Sequence, residues 1–305
     1  MKNEFRYTPL SPLNNLTYAV GLASALVLVH TFGERVKEAV TGRFSDFTVF
    51  VVFGFALYLT VFWFWGTFYI LLDRYERPAF LFRYRIQTPP AGMTHPSSSP
   101  STKEAVRVVL WNQFAGTLPA LVLLFFLLRW MGISPRDPIP PIRTILLKLS
   151  GMVLIEEVLF FTAHYTLHWR PLFRTIHHIH HRFRQPIGIS THYVHYAEHL
   201  VGNLTPIFAA IVLVRADLTT SFLWVVLAVT NAIHTHSDYA FPWMSWSIDH
   251  DFHHYQARGN YGVLGLCDRI FGTDRELREL AARSRARSAG LSVPVAAASS
   301  PSPPH

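Results

Sequence analysis

The sequence predicts an all-α integral membrane protein: four transmembrane helices with a helical, histidine-rich cap on the cytosolic face. Half of the 305 residues are hydrophobic and only 15% are charged. Mean hydropathy is positive, at +0.23, a balance typical of membrane chains. Four apolar stretches approach or exceed the ~20 residues that a helix needs to cross a bilayer. The third observation is local: fourteen of the 17 histidines fall between positions 164 and 254.

Residues 1–15 are polar and carry Pro9 and Pro12, so they read as a cytosolic segment rather than a signal peptide. The transmembrane region follows over 16–168, with spans expected at about 16–32, 46–72, 108–131 and 144–168. Inside it, the Pro/Ser-rich stretch 88–102 reads as a flexible loop. A fifth apolar region, 203–233, is interrupted by Arg215 and Asp217. Each half is short for a crossing, so an interfacial or re-entrant helical hairpin is expected there. From 275 the chain reads as a charged helix, followed by an Ala/Ser/Pro tail expected to be disordered to 305.

The net charge of +8 does not gather in a polar domain of the kind that binds nucleic acid. Basic residues flank the apolar spans instead, as membrane-edge anchors do. Arg74, Arg77, Arg83, Arg85, Lys103 and Arg107 crowd the loop after the second span, and Arg170, Arg174, Arg182 and Arg184 follow the fourth. Placing both groups in the cytosol puts the histidine-rich region, 164–274, on that side as well. A single cysteine, Cys267, excludes an intramolecular disulfide and a thiolate metal cluster.

The histidines recur at helical spacing, as H164-YTL-H168, H177-HI-H180-H181 and H250-DF-H253-H254. Positions i, i+3 and i+4 share one face of an α-helix. An isolated HxxxH is more often a satisfied core feature than a site, but three clusters in phase within one region point to metal. Neutral imidazole suits iron, zinc, copper and nickel, and eight imidazoles exceed the needs of one ion. Glu156 and Glu157 stand inside the fourth span, where ionisable groups are costly and usually functional. Seven residues separate Glu157 from His164, ~10 Å along a helix axis. A supporting hydrogen bond is therefore expected of Glu157 rather than direct ligation, with an interhelical ion pair as the alternative.

Taken together, RYRIQ (83–87), WNQ (111–113), LIEEVLFFTAHYTLH (154–168), IHHIHH (176–181), PIGISTHYVHYAEH (186–199), HSDYAFP (236–242) and HDFHHYQARGNYGVLGLCDRIFGTD (250–274) resemble the fatty acid hydroxylase superfamily of membrane di-iron enzymes. Within it the chain is most similar to the C4-methylsterol oxidases and the fatty acid hydroxylase domain-containing protein 2 group. The resemblance implies ten iron ligands: His164, His168, His177, His180, His181, His195, His236, His250, His253 and His254. The resemblance does not extend to His178, His192, His199 and His234, which are either partners of the ligands, as expected of Glu157, or polar surface. It departs from the family at Tyr196, where proline is usual, and at Trp169, where a second histidine often follows.

The implied activity is oxidation of a lipid C–H bond by O2 at two iron ions, on a 4-methylsterol or related triterpenoid. The implied location is the endoplasmic reticulum membrane. A desaturase or a sphingolipid or fatty acyl hydroxylase of the same superfamily stays open, as does a membrane regulator that keeps only the fold. No GxGxxG or CxxCH motif occurs, so electrons are expected from cytochrome b5 or an NAD(P)H-dependent reductase. The topology is checked by single cysteines at positions 182 and 258 after replacement of Cys267. Both should label in sealed microsomes, cytosolic face outward, without detergent; labelling only after permeabilisation would invert the orientation.

Overall fold

The computed structural model describes residues 4–88 and 99–290. Most of the loop expected at 88–102 and the tail beyond 290 lie outside them, as do His95 and His305. The described chain is helical apart from one two-stranded antiparallel ribbon, β1 (Glu4–Phe5) on β2 (Gln87–Thr88), with Phe5 opposite Gln87. Six long helices carry the fold: α1 (Leu16–Thr41), α2 (Thr48–Tyr75), α3 (Thr102–Trp130), α4 (Ile142–Leu167), α5 (Tyr196–Leu213) and α6 (Leu218–Thr235). Shorter helices in the cap include α7 (Ile248–Gln256), α8 (Leu266–Phe271) and α9 (Arg275–Ser288). The last is the charged helix expected from 275.

Five of these helices, α1, α2, α3, α5 and α6, are long and apolar enough to cross a membrane. Two expectations change as a result. The 203–233 hairpin has full-length arms, because its first helix begins at Tyr196, upstream of the apolar run, and passes through a π-helical stretch at His199–Leu204. Conversely, α4 forms over 26 residues but is not among the five. Lys148, Glu156, Glu157 and His164 dilute its apolar run.

Packing follows from which faces are apolar. α2 lies against α6, and α4 against α5, burying Phe62, Tyr69, Ile145, Met152 and Trp224. Between helices in lipid such contacts rest on van der Waals fit rather than on the hydrophobic effect. The opposite faces expose Leu123, Leu147 and Phe64 at 65–73%, a belt that only lipid covers at little cost. Among the side chains of α1, only Leu26 and Thr41 are buried.

The break read at 215–217 is a turn with its own logic. Arg215 takes a positive φ of 50°, and Asp217 caps α6. The Asp217 carboxylate accepts from the Thr220 amide at 3.0 Å and from the Thr220 hydroxyl at 2.6 Å. Loss of such a cap costs about 1 kcal/mol. Asp217→Ala should therefore lower the thermal unfolding midpoint of the detergent-solubilised protein, whereas Asp217→Asn should keep most of the stability.

Candidate metal centre

α4 and α6 run toward the same end of the molecule and deliver their last residues, His164 and His168, and His236, to one place. α7 supplies His250, His253 and His254 from the opposite side. His177, His180 and His181 come from a 3-10 helix, His177–Arg182, and not from the α-helix their spacing suggested. The tighter turn still turns these three rings inward, leaving His178 exposed.

Nine of the ten expected ligands gather in two adjoining groups. His164, His168, His177, His181 and His253 form one, and His180, His236, His250 and His254 the other; within each, the candidate ligand atoms lie within 4.8 Å of one another. Both His-His pairs are split between the groups. Successive residues on a helix point ~100° apart or more, so neighbours cannot serve one ion. His195 stands outside both groups among the described residues; its Nδ1 accepts from the Ala197 amide at 3.2 Å and caps the start of α5.

Hydrogen bonds fix the tautomers. Nδ1–H of His164 donates to the Tyr261 carbonyl at 2.9 Å, that of His236 to Ala232 at 2.8 Å, that of His253 to Gly259 at 2.6 Å and that of His254 to Phe183 at 2.9 Å. His177 donates to Glu198 Oε1 at 2.7 Å. Each of these rings then turns an Nε2 lone pair inward. His250 and His236 meet Nε2 to Nε2 at 2.8 Å, and His181 lies 3.0 Å from His177 and 3.1 Å from His253. One proton on His181 cannot satisfy both of its neighbours. The Nε2 atoms of His164, His168 and His254 are buried and have no hydrogen-bond partner among the described residues. Nitrogens bound at right angles to one ion ~2.1 Å away stand ~3 Å apart. The donor set fits metal.

Burial enforces the neutral form that ligation needs. Desolvation lowers His177, His180, His181, His250, His253 and His254 well below the ordinary imidazole range, and neighbouring imidazoles push the same way. Burial also brings His236 down to about 4, although its bond to the Ala232 carbonyl pulls upward.

Behind the ligands lies a buried polar scaffold that the sequence reading left without roles. Asp238 accepts from Arg85 Nε at 2.9 Å, the Gln87 amide at 2.8 Å and Gln185 Nε2 at 2.6 Å. Gln87 Nε2 also donates to Asp251 Oδ1 and to the Arg184 carbonyl. The segments carrying His180–His181, His236 and His250–His254 are thus fastened to one another. Glu198 was equally unassigned, because it lies upstream of the apolar run and its local sequence does not single it out.

Glu157 itself makes structural hydrogen bonds. It accepts from the amides of Val263, Leu264 and Cys267 at 2.7–2.8 Å. That holds the loop whose Tyr261 carbonyl orients His164. Gly262 is required there: a Cβ would stand 2.7 Å from Glu157 Oε1 and 2.9 Å from Asp268 Oδ2. The other expected supporting residues hydrogen-bond elsewhere. His192 pairs with Tyr58, His199 with Thr117, and His234 with Tyr69 and the Ser245 carbonyl.

A cavity of about 70 Å³ touches both groups through His164, His177, His180, His236 and His250. Glu156 and Asn231 line it as well.

The model of the fatty acid hydroxylase family matches residues 149–273, which hold all nine gathered histidines. Fatty acid hydroxylase domain-containing protein 2 of Homo sapiens is 31% identical over 252 residues, 83% of this chain and 74% of that protein. Methylsterol monooxygenase 2-2 of Arabidopsis thaliana is 31% identical over 263 residues, 82% of this chain and 95% of that one. Very-long-chain aldehyde decarbonylase GL1-11 of Oryza sativa subsp. japonica is 31% identical over 256 residues, 79% and 91%. No solved structure matches. With its paired histidine groups inside the matched segment and relatives alike over most of their length, the chain belongs to the fatty acid hydroxylase family.

Proposed function

We propose that this protein is a membrane di-iron oxygenase that hydroxylates a C–H bond of a lipid, with a 4-methylsterol or related triterpenoid as substrate. The observation that carries the reading is the pair of neutral, buried imidazole groups that line one cavity. The methylsterol monooxygenases among the relatives favour the sterol. Bound iron supplies what side chains cannot, the two-electron reduction of dioxygen needed to attack an unactivated C–H bond; zinc has no redox chemistry to offer. The reaction consumes a C–H bond, O2, two electrons and two protons, and yields C–OH and water. The electron source is cytochrome b5 or an NAD(P)H-dependent reductase, met at the cytosolic face of the endoplasmic reticulum.

The chain's own work in this scheme is orientation and exclusion. Glu198 and the carbonyls of Tyr261, Ala232, Gly259 and Phe183 aim the rings. Helices α4 and α6 wall the cavity and keep bulk water from it, while its mouth admits a lipid.

His181→Ala and His253→Ala should each abolish turnover and release metal. Losing a group that merely supports a ligand costs 10–100-fold in affinity or activity, so losing a ligand should exceed ~100-fold. Metal analysis of the purified variants checks this, with exposed His178→Ala as the control that keeps metal and activity. A fully metallated, active His181→Ala/His253→Ala double variant would refute the assignment.

Chemistry is tested with ferrous iron, an electron donor and ¹⁸O2 on membrane sterols. The expected product carries one labelled oxygen at a methyl carbon. An unlabelled product with a new double bond would make the protein a desaturase. Loaded metal without either product would leave only the fold in common with the oxygenases.

A further inference from the structure

A second cavity, of about 50 Å³, neighbours the one at the histidines, and His192, Asn203 and Ile207 line both. One face of α6 runs along the whole path: Phe222, Val225 and Val229 line the second cavity, and Ala232, Thr235 and His236 the first. These positions repeat at three- and four-residue steps, as one helix face must. From Phe222 to His236 the rise is ~21 Å, longer than the ~15 Å hydrocarbon depth of one leaflet.

The two chambers differ in chemistry. Glu156, Asn231 and Asp249 place polar groups in the first. The walls of the second are mainly apolar, and the polar atoms of Tyr58 and Thr117 are engaged by His192 and His199. Two of the residues that line both chambers are held in place. His192 Nδ1 is 2.9 Å from the Tyr58 hydroxyl, and Asn203 Nδ2 donates to the Thr191 carbonyl at 3.1 Å. Gly54 lines the second cavity and packs against the Phe222 ring, so a side chain there must push that ring aside into the cavity. A Cβ there would stand 3.2 Å from Phe222 Cε1 and 3.8 Å from Leu121 Cδ2.

We propose that the second cavity is the tail subsite of the lipid oxidised at the histidines, entered past His192 and Asn203, and that Gly54 sets the tail length it accepts. The substrate is then an extended amphiphile whose polar end lies at the histidine chamber and whose apolar tail reaches α2. The assignment rests on the oxygenase reading only in naming whose tail it is, because tail binding is measured without turnover.

The test uses full-length, metal-loaded protein in vesicles containing a sterol with a diazirine at the end of its side chain. Irradiation should attach the probe to peptides holding Phe50, Phe222 or Val225. Labels confined to the lipid-facing Leu123, Phe126 and Leu147 would overturn the proposal. Gly54→Leu should lower internal labelling at least tenfold for the full-length tail and less than twofold for a sterol with a truncated side chain. Equal losses for both probes, or none, would reject Gly54 as the length determinant. If Gly54→Leu does not fold, Val229→Phe, on the facing helix, should give the same contrast. Internal labelling without any oxidised product would keep the tail subsite and reject the oxygenase reading.

Discussion

Backbone carbonyls decide where the protons sit on this protein's histidines, and the rest of the molecule is arranged around that choice. A carbonyl oxygen only accepts, so each ring that donates from Nδ1 to Tyr261, Ala232, Gly259 or Phe183 must present a bare Nε2 to its neighbours. These atoms then depend on the few protons that His181 and His250 can offer at 2.8–3.1 Å, and the Nε2 atoms of His164 and His254 have no partner among the described residues. Buried polar atoms without partners each cost on the order of 1–3 kcal/mol, and repulsion between them adds to that. A cation relieves both costs, and little else of similar size does. The centre is built to be completed.

Holding that frustrated arrangement together demands rigidity elsewhere. The Asp238, Gln87, Gln185 and Asp251 hydrogen bonds clamp the segments behind the rings. Burial pushes the Asp238 carboxyl up to about 6 while the Arg85 guanidinium beside it pulls down. Charge is thus kept in the interior by being shared among several donors. The Glu157 carboxylate does comparable work for the 261–268 loop. It explains why a membrane-facing helix tolerates an acid in its apolar run: three backbone amides converge on that carboxylate.

Much of this was legible in residue order, for a physical reason. Helical phase puts His250, His253 and His254 on one face whatever the tertiary setting, and a bilayer forces apolar runs of fixed length. What the chain did not disclose depends on contacts distant in sequence. Nothing local to Gln87 shows that its amide reaches Asp251, or that Glu198 serves His177. The 3-10 geometry at His177–Arg182 is invisible to a periodicity argument, since an i, i+3 repeat occurs in both helices. The hairpin arms were read short because apolar character was counted only from 203, whereas helix already begins at Tyr196. His192, His199 and His234 share residue type and neighbourhood with the metal groups. Only their hydrogen bonds to Tyr58, Thr117 and Tyr69 separate them from ligands.

The splitting of His180–His181 and of His253–His254 between the two groups has a thermodynamic corollary. Two pairs of adjacent residues thus tie the halves of the centre together through the backbone. Ordering one set of rings fixes the dihedral angles that carry the other, and the entropy of that ordering is spent a single time. The ordering of the two groups is therefore a linked quantity, with a coupling free energy that is the same whichever group is ordered first.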